Sequence, residues 1–181
     1  MIQRAQQNNN AAWEMLVREH QTAVFRLAYL LLGDAVDAED CAQETFERAW
    51  RALARFDPTR SLRPWLLQIA ANVARNKRRG AGRYLHALRR LVVLAPPPTT
   101  DAVLDGQNEE AHTLWQAIRR LRRTDQEIVY MRYFLELSEA DIAQALGIAP
   151  GTVKSRLHRA MTRLRHVIAA EFPFLREERE A

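Results

Sequence analysis

Lys154, Ser155, His158 and Arg159 fall at i, i+1, i+4 and i+5, the spacing that gathers side chains on one side of a helix. Such a quartet can donate hydrogen bonds and positive charge, which is the chemistry of reading phosphate oxygens and base edges. Val153, Leu157, Ala160, Leu164 and Ile168 form an apolar stripe on the opposite side, so the cationic side faces outward. A second helix is predicted just upstream. Ser138 and Asp141 have capping-box spacing, and Ile142, Ala143 and Leu146 supply its buried side. Gly147 can take the positive φ that ends this first helix, and Pro150 suits the first turn of the next. Two helices, a tight turn and a cationic outer side make a helix-turn-helix, whose second helix commonly enters a DNA major groove. An ordinary helical hairpin with a solvated charged face is the plainer alternative, and it does not account for the agreement of turn, stripe and charge.

The chain that must position this motif has 181 residues, 48% of them hydrophobic, with only six glycines and seven prolines to interrupt long runs of helix formers. The expectation is an all-α protein of two small domains. No apolar run reaches the ~18 residues of a membrane span, and MIQRAQQNNN at the start lacks an apolar signal core. The chain is therefore expected to act in the cytoplasm without inserting into a membrane. The single cysteine, Cys41, excludes an internal disulfide and any multi-cysteine metal site. His20, His86, His112, His158 and His166 are scattered. No phosphate loop or nucleophile–base pair is present, so neither a cofactor nor enzymatic chemistry is expected.

The net charge of +5 is modest, but its distribution is not. No acid lies between Asp57 and Asp101, where nine arginines and lysines from Arg60 to Arg90 are found, and none lies between Asp141 and Glu171. Conversely, no Lys or Arg lies between Arg26 and Arg48, where Asp34, Asp37, Glu39, Asp40, Glu44 and Glu47 cluster. Two cationic windows suit phosphates. An anionic helix would repel DNA, so its natural partner is a basic protein surface.

Three helices are predicted in a first domain, residues 8–83. Ala11–Leu32 carries Trp13, Leu16, Val17, Val24, Leu27, Ala28 and Leu31 at helical spacing, and Gly33 ends it. Asp37–Leu53 has Cys41, Thr45, Phe46, Ala49, Trp50 and Leu53 on its apolar side. After the loop Phe56–Arg60, Ser61 is a good N-cap for a helix running to about Arg79, with Leu62, Leu66, Ile69 and Val73 buried. Its other side lines up Trp65, Gln68, Asn72, Arg75 and Arg79. Residues 84–108 read as a proline-containing linker, with the apolar patch Leu91–Leu94 docking on a partner or on its own domain. A second domain, residues 109–172, opens with Leu114, Ile118 and Leu121 on one helix side. A further capping box at Thr124 and Glu127 starts a helix bearing Ile128, Val129, Met131 and Tyr133, and the helix-turn-helix follows. The tail from Arg176 reads as frayed.

Two segments in this order resemble a known family. GDAVDAEDCAQETFERAWRALARFDPTRSLRPWLLQIAANVARNKRR is similar to region 2 of bacterial RNA polymerase sigma factors, and LRRTDQEIVYMRYFLELSEADIAQALGIAPGTVKSRLHRAMTRLR to their region 4. Order, linker and length resemble the extracytoplasmic-function (ECF) group, over most of residues 12–168. The resemblance implies that Asp40, Gln43 and Glu44, with Glu47 and Arg48 beside them, dock on the clamp helices of the polymerase β′ subunit. It implies that the loop with Phe56, Arg60 and Ser61 helps to capture an unstacked base of the −10 promoter element. Unstacking costs a few kcal/mol, which backbone charge and stacking can offset. On the following helix Asn72 is then the first choice for a base edge, because an amide both donates and accepts. Arg75, Asn76 and Arg79 would hold backbone, and Trp65 either packs in the core or stacks on a base. Lys154, Ser155, His158 and Arg159 match positions facing the −35 element, with Arg159 suited to guanine and Arg156 and Arg163 to phosphates. Ala149 stands at the recognition helix's N-cap where Ser is more usual, leaving a helix N-terminus open to a DNA phosphate.

The resemblance implies a sigma factor that binds core polymerase and promoter DNA, reads the −35 duplex, opens the −10 element and answers to an anti-sigma factor. A stand-alone dimeric helix-turn-helix regulator is the alternative, although it has no use for the anionic helix. Reach is compatible with the first reading: promoter elements two helical turns apart are ~70 Å distant, and roughly 25 extended linker residues span up to ~80–90 Å.

Overall fold

In a computed structural model, described for residues 1–89 and 109–172, every regular element is helical. The chain divides into two compact units, drawn mainly from residues 1–99 and from 100–181. The linker residues 90–108, including the Leu91–Leu94 patch, and the tail from residue 173 lie outside the described residues.

The first unit comprises α1 (Ile2–Gln6), α2 (Asn10–Leu32), α3 (Ala35–Ala52), a 3₁₀ turn (Leu53–Arg55) and α4 (Leu62–Arg89). Local chemistry sets the joints. Asn9 caps α2 by accepting from the Ala12 N–H at 2.9 Å, and Gly33 ends it at φ 78° with its N–H on the Tyr29 carbonyl. Asp34 then caps α3 through the Asp37 N–H at 2.9 Å, which starts the helix two residues before the predicted Asp37. Helices α2, α3 and α4 pack on one another. Leu16, Val24, Leu27, Ala28 and Leu31 of α2 meet Ala38, Cys41, Thr45 and Ala49 of α3 and Leu62, Leu66, Leu67, Ala70, Ala71, Val73 and Ala74 of α4, all buried. Ile69 is half-buried, a smaller share than its predicted place in the core. Thr45 is accommodated because its hydroxyl donates to the Cys41 carbonyl at 2.7 Å. The Cys41 thiol donates to the Ala70 carbonyl at 3.7 Å, and burial pushes its pKa up to about 11, so it is a packing group rather than a reactive one.

Two elements depart from expectation. Helix α4 continues ten residues past Arg79, through Gly80 and Gly82 and into the segment read as linker. Each glycine costs only about 1 kcal/mol inside a helix, and Ala81, Arg83, Leu85, Ala87 and Leu88 around them are good helix formers. Helix α1 was not predicted. It is held by tertiary contacts: Ala5 is buried, and the Gln6 amide donates to the carbonyls of Leu53 and Phe56 at 3.0 and 2.7 Å.

The second unit comprises α5 (Glu109–Arg120), α6 (Arg123–Val129), a π-helical turn (Tyr130–Phe134), α7 (Glu139–Leu146) and α8 (Pro150–Glu171). The buried side of α5 is Thr113, Ala117, Ile118 and Leu121, while Leu114, expected inside, is exposed. Helix α6 starts at Arg123 with Arg122 as an uncapped N-cap, so Thr124 does not open it. Asp125 and Glu127 are buried rather than left to serve the cap, and a tertiary ion pair takes the Asp125 carboxylate. The Gln126 amide, also buried, donates to the carbonyls of Arg119 and Leu121 at 2.9 Å each and so closes the end of α5. The π turn inserts one residue, roughly 100° of rotation, which turns Tyr133 out to 55% exposure while Met131 stays buried. Trp115, Tyr130 and Phe134 form an aromatic trio with centroids 5.4–6.0 Å apart.

The loop after this turn places Glu136 at φ 55°, a left-handed conformation that a side chain disfavours. Glu136→Gly should raise the stability of the second unit by about 0.5–1 kcal/mol. A urea midpoint that stays put or falls would contradict this strain.

His20 gives a pH dependence. Burial lowers its pKa, the Glu19 carboxylate partly opposes the shift, and the Arg63 cation adds to it. Below its ordinary value near 6.5 the unfolded chain binds a proton more readily than the folded one, so stability falls as pH drops through that range. His20→Gln should flatten the decline between about pH 7 and pH 5. An unaltered slope in urea titrations would mean that other groups cause it.

Candidate functional site

Helix α3 turns its small residues inward and its acids outward. Ala38, Cys41, Thr45 and Ala49 are buried, Phe46 and Trp50 lie half-buried against Trp13 at 6.2 and 5.2 Å, and Asp37, Glu39, Asp40, Gln43 and Glu47 are exposed. The five expected docking residues share this outward side, but each acid already has a local partner. Arg48 bonds Glu44 at 2.6 Å, the Gln43 amide donates to Glu47 at 3.1 Å, Arg51 lies 3.6 Å from Glu47, and Lys77 of α4 lies 3.4 Å from Asp40. Exposed pairs of this kind contribute under about 1 kcal/mol each, so an incoming cation can replace them at little cost.

The loop before α4 is built on Phe56. Its ring is buried and packs on Trp65, centroids 4.6 Å apart, so Phe56 supports the loop from beneath and does not line its surface. Trp65 is half-buried, with one side of the indole committed to this contact. Residues 57–61 are exposed. The Asp57 carboxylate accepts from the Thr59 N–H and hydroxyl at 2.9 and 2.7 Å, which shapes the turn and lowers the Asp57 pKa. Arg60 and Ser61 stand on the outer side of this turn. Along α4, Asn72, Asn76 and Arg79 are exposed and Arg75 is half-buried, so the structure brings the expected polar row onto one outward face. Arg75 bonds back to its own helix, donating from Nε to the Ala71 carbonyl at 3.0 Å and from Nη2 to the Asn72 side-chain oxygen at 2.9 Å.

On α8, Lys154, Ser155, His158 and Arg159 are exposed while Val153, Leu157, Ala160 and Leu164 are buried. The predicted capping box forms at α7, with the Asp141 N–H on the Ser138 hydroxyl and that hydroxyl on the Asp141 carboxylate. Gly147 adopts φ 64° at the turn. Arg159 Nε donates to the Ser155 carbonyl at 3.2 Å, a bond that does not draw on the two terminal amino groups a bidentate contact needs. Ala149 is the N-cap without a side-chain bond, and its carbonyl accepts the Thr152 N–H at 2.9 Å, so part of the expected open terminus is already satisfied. Arg156 is half-buried beside this face. Arg163 differs from expectation. It bonds the buried Asp125 carboxylate at 2.5 Å and so ties α8 to α6. Asp125 and Gln126 were missed as positioning residues. The one available signal was an acid and an amide one residue beyond the run Arg119–Arg123.

The family model for Sigma-70 region 2 matches residues 16–84, and that for Sigma-70 region 4 matches residues 111–164. The ECF RNA polymerase sigma factor SigL of Mycobacterium tuberculosis is 34% identical over 156 residues, covering 86% of this chain and 88% of its own. The chain belongs to the ECF sigma factor family. SigW of Bacillus subtilis, another member, is 30% identical over 91% of this chain and 92% of its own. Among solved structures, the sigma factor RpoE of Bartonella quintana, in complex with the anti-sigma factor NepR, is 25% identical with a TM-score of 0.67, covering 88% of this chain and 98% of that one. CnrH, in complex with the cytosolic domain of CnrY, is 24% identical with a TM-score of 0.70 over 94% and 96% of the two chains, and shares the fold. As an RNA polymerase sigma factor the protein directs transcription initiation, and the all-α fold class and family resemblance read from the sequence stand. Among the described residues no helix is long and apolar enough to cross a membrane.

The Arg163 assignment is open to measurement. If Arg163 pins α8 to α6, Arg163→Ala should destabilise the second unit by about 1–3 kcal/mol. If it instead contacts phosphate, stability should be unchanged and the salt dependence of DNA binding should weaken by about one charge.

Proposed function

We propose that the acidic side of α3, carrying Asp40, Gln43, Glu44, Glu47 and Arg48, docks on the clamp helices of the polymerase β′ subunit. In this reading the turn with Arg60 and Ser61, propped by Phe56 and Trp65, holds the displaced −10 strand, and Asn72 contacts a base edge. Arg75, Asn76 and Arg79 follow the backbone along α4. Lys154, Ser155, His158 and Arg159 read the −35 duplex, flanked by Arg156, with Arg163 acting from behind through Asp125. The protein works by binding alone, in the cytoplasm where polymerase and DNA are found, without covalent chemistry of its own. Domain limits of 8–83 and 109–172 fit this division of labour, with α4 extending into the intervening segment. An anti-sigma factor that covers these faces completes the proposal, supported by the complex in which RpoE of Bartonella quintana was solved. A stand-alone dimeric regulator would leave the region 2 match without a purpose.

The observation that carries the reading is the segregation of charge in the first unit: acids on the outer side of α3, amides and cations on the outer side of α4. Like charges juxtaposed across an interface cost several kcal/mol. Glu44→Lys should therefore weaken core binding by about tenfold or more while the free protein remains folded. Asn72→Ala should leave core binding intact and reduce promoter opening. Equal core affinity for Glu44→Lys, or equal permanganate reactivity of the opened strand for Asn72→Ala, would remove the corresponding assignment.

A further inference from the structure

The loop before α4 is anchored from α1. Gln6, the last residue of that helix, donates from its amide nitrogen to the Leu53 carbonyl at 3.0 Å and to the Phe56 carbonyl at 2.7 Å. Both partners are acceptors, so the nitrogen end of the amide must face them, and each of its two protons has a bond to make. The bonds bracket the 3₁₀ turn Leu53–Arg55, one at its first residue and one just past its last. Phe56 is thereby held three ways. Its N–H donates to the Leu53 carbonyl at 3.0 Å, its carbonyl accepts from Gln6, and its buried ring packs on Trp65. Residues 57–61, which follow, are exposed. Their turn is closed within itself, by the Arg60 N–H on the Asp57 carbonyl at 3.1 Å and by Thr59 on the Asp57 carboxylate. Such bonds set the shape of the turn, whereas the direction in which it projects follows from Phe56.

Helix α1 has five residues, with Ala5 the one buried among them, and isolated helices shorter than ~12–15 residues are marginal in water. It also lies ahead of residues 16–84, the segment that matches Sigma-70 region 2. We infer that Gln6 is a positioning residue for promoter opening, which fixes Phe56 as the post from which the strand-holding turn projects. The inference rests on the reading of that turn as the holder of the displaced −10 strand, and adds what aims it. These bonds differ from an exchangeable surface pair. Gln6 is half-buried, and both acceptors are main-chain groups of buried residues, which cost free energy when a donor is withdrawn.

The test uses holoenzyme reconstituted from core polymerase and the full chain, on a duplex promoter that wild-type holoenzyme selects from a randomised pool. Opening is read as permanganate reactivity of thymines in the melted segment. Gln6→Ala, and Gln6→Glu, which keeps nearly the same shape but loses the donors, should each reduce opening about threefold to tenfold with core affinity unchanged. A merely structural role would multiply through every other variant, so a mutant cycle separates the two. Arg60→Ala should reduce opening about threefold or more in wild type, yet under about twofold in the Gln6→Ala background, where the turn is already misdirected. Lys154→Ala, in the second unit, should cost the same factor in both backgrounds. If the Arg60 factor also persists unchanged, or if both factors shrink together, Gln6 does not act through the turn and the positioning role is overturned. It is likewise overturned, with the strand-holding reading intact, if Arg60→Ala reduces opening but the Gln6 variants match wild type. If Arg60→Ala and Ser61→Ala both leave wild-type opening unchanged, the strand-holding reading fails and the inference falls with it.

Discussion

The first unit depends on how closely α3 and α4 approach. Ala38, Cys41 and Ala49 on one helix and Ala70, Ala71 and Ala74 on the other are all buried, and the Cys41 thiol reaches the Ala70 carbonyl. Interaxial distance follows the size of the side chains at the contact, and a seam of alanines lets two long helices lie side by side with little volume between them. Everything charged is then forced to the far sides. The acids of α3 leave in one direction and the amides and cations of α4 in another, with Lys77 and Asp40 meeting across the boundary. A larger residue in the seam would change the angle between the two outward faces as well as cost stability.

The second unit solves a related problem by polar means. A recognition helix must present a cationic side at a defined angle, yet like charges on that side repel one another. The buried Asp125 carboxylate pairs with Arg163 and ties α8 to α6, while Gln126 closes the end of α5. Removing one partner of a buried pair leaves an uncompensated charge, so the tie is specific in geometry. The aromatic trio of Trp115, Tyr130 and Phe134 sits around the π turn, which sets the direction in which the chain enters α7.

Both units belong to a binding device whose surfaces are prepaid with weak internal contacts. Glu44 and Arg48, Glu47 and Gln43, and Arg75 and Asn72 are all paired within one helix. Such pairs cost little to exchange, and meanwhile they hold long side chains in a narrow set of rotamers, which reduces the ordering entropy that a partner must overcome.

Much was legible in the sequence because it depends on neighbours within one or two turns. Helix periodicity, the glycine at Gly33, the turn at Gly147, the capping box at Ser138 and Asp141, the outward row Lys154–Arg159 and the segregation of acids from bases are local patterns, and they determined an all-α chain with a helix-turn-helix. Tertiary structure decided what depends on residues far apart. Gln6 holds a short helix in place through carbonyls 47 and 50 residues away. Asp125, beside the expected capping box at Thr124 and Glu127, is buried and pairs with an arginine 38 residues distant. Phe56 goes inward because Trp65 offers it a face, and Tyr133 turns outward because the helix before it widens by one residue. For Gln6 and Asp125 a long-range contact outweighs a local preference worth about 1 kcal/mol, and no window of sequence contains both partners.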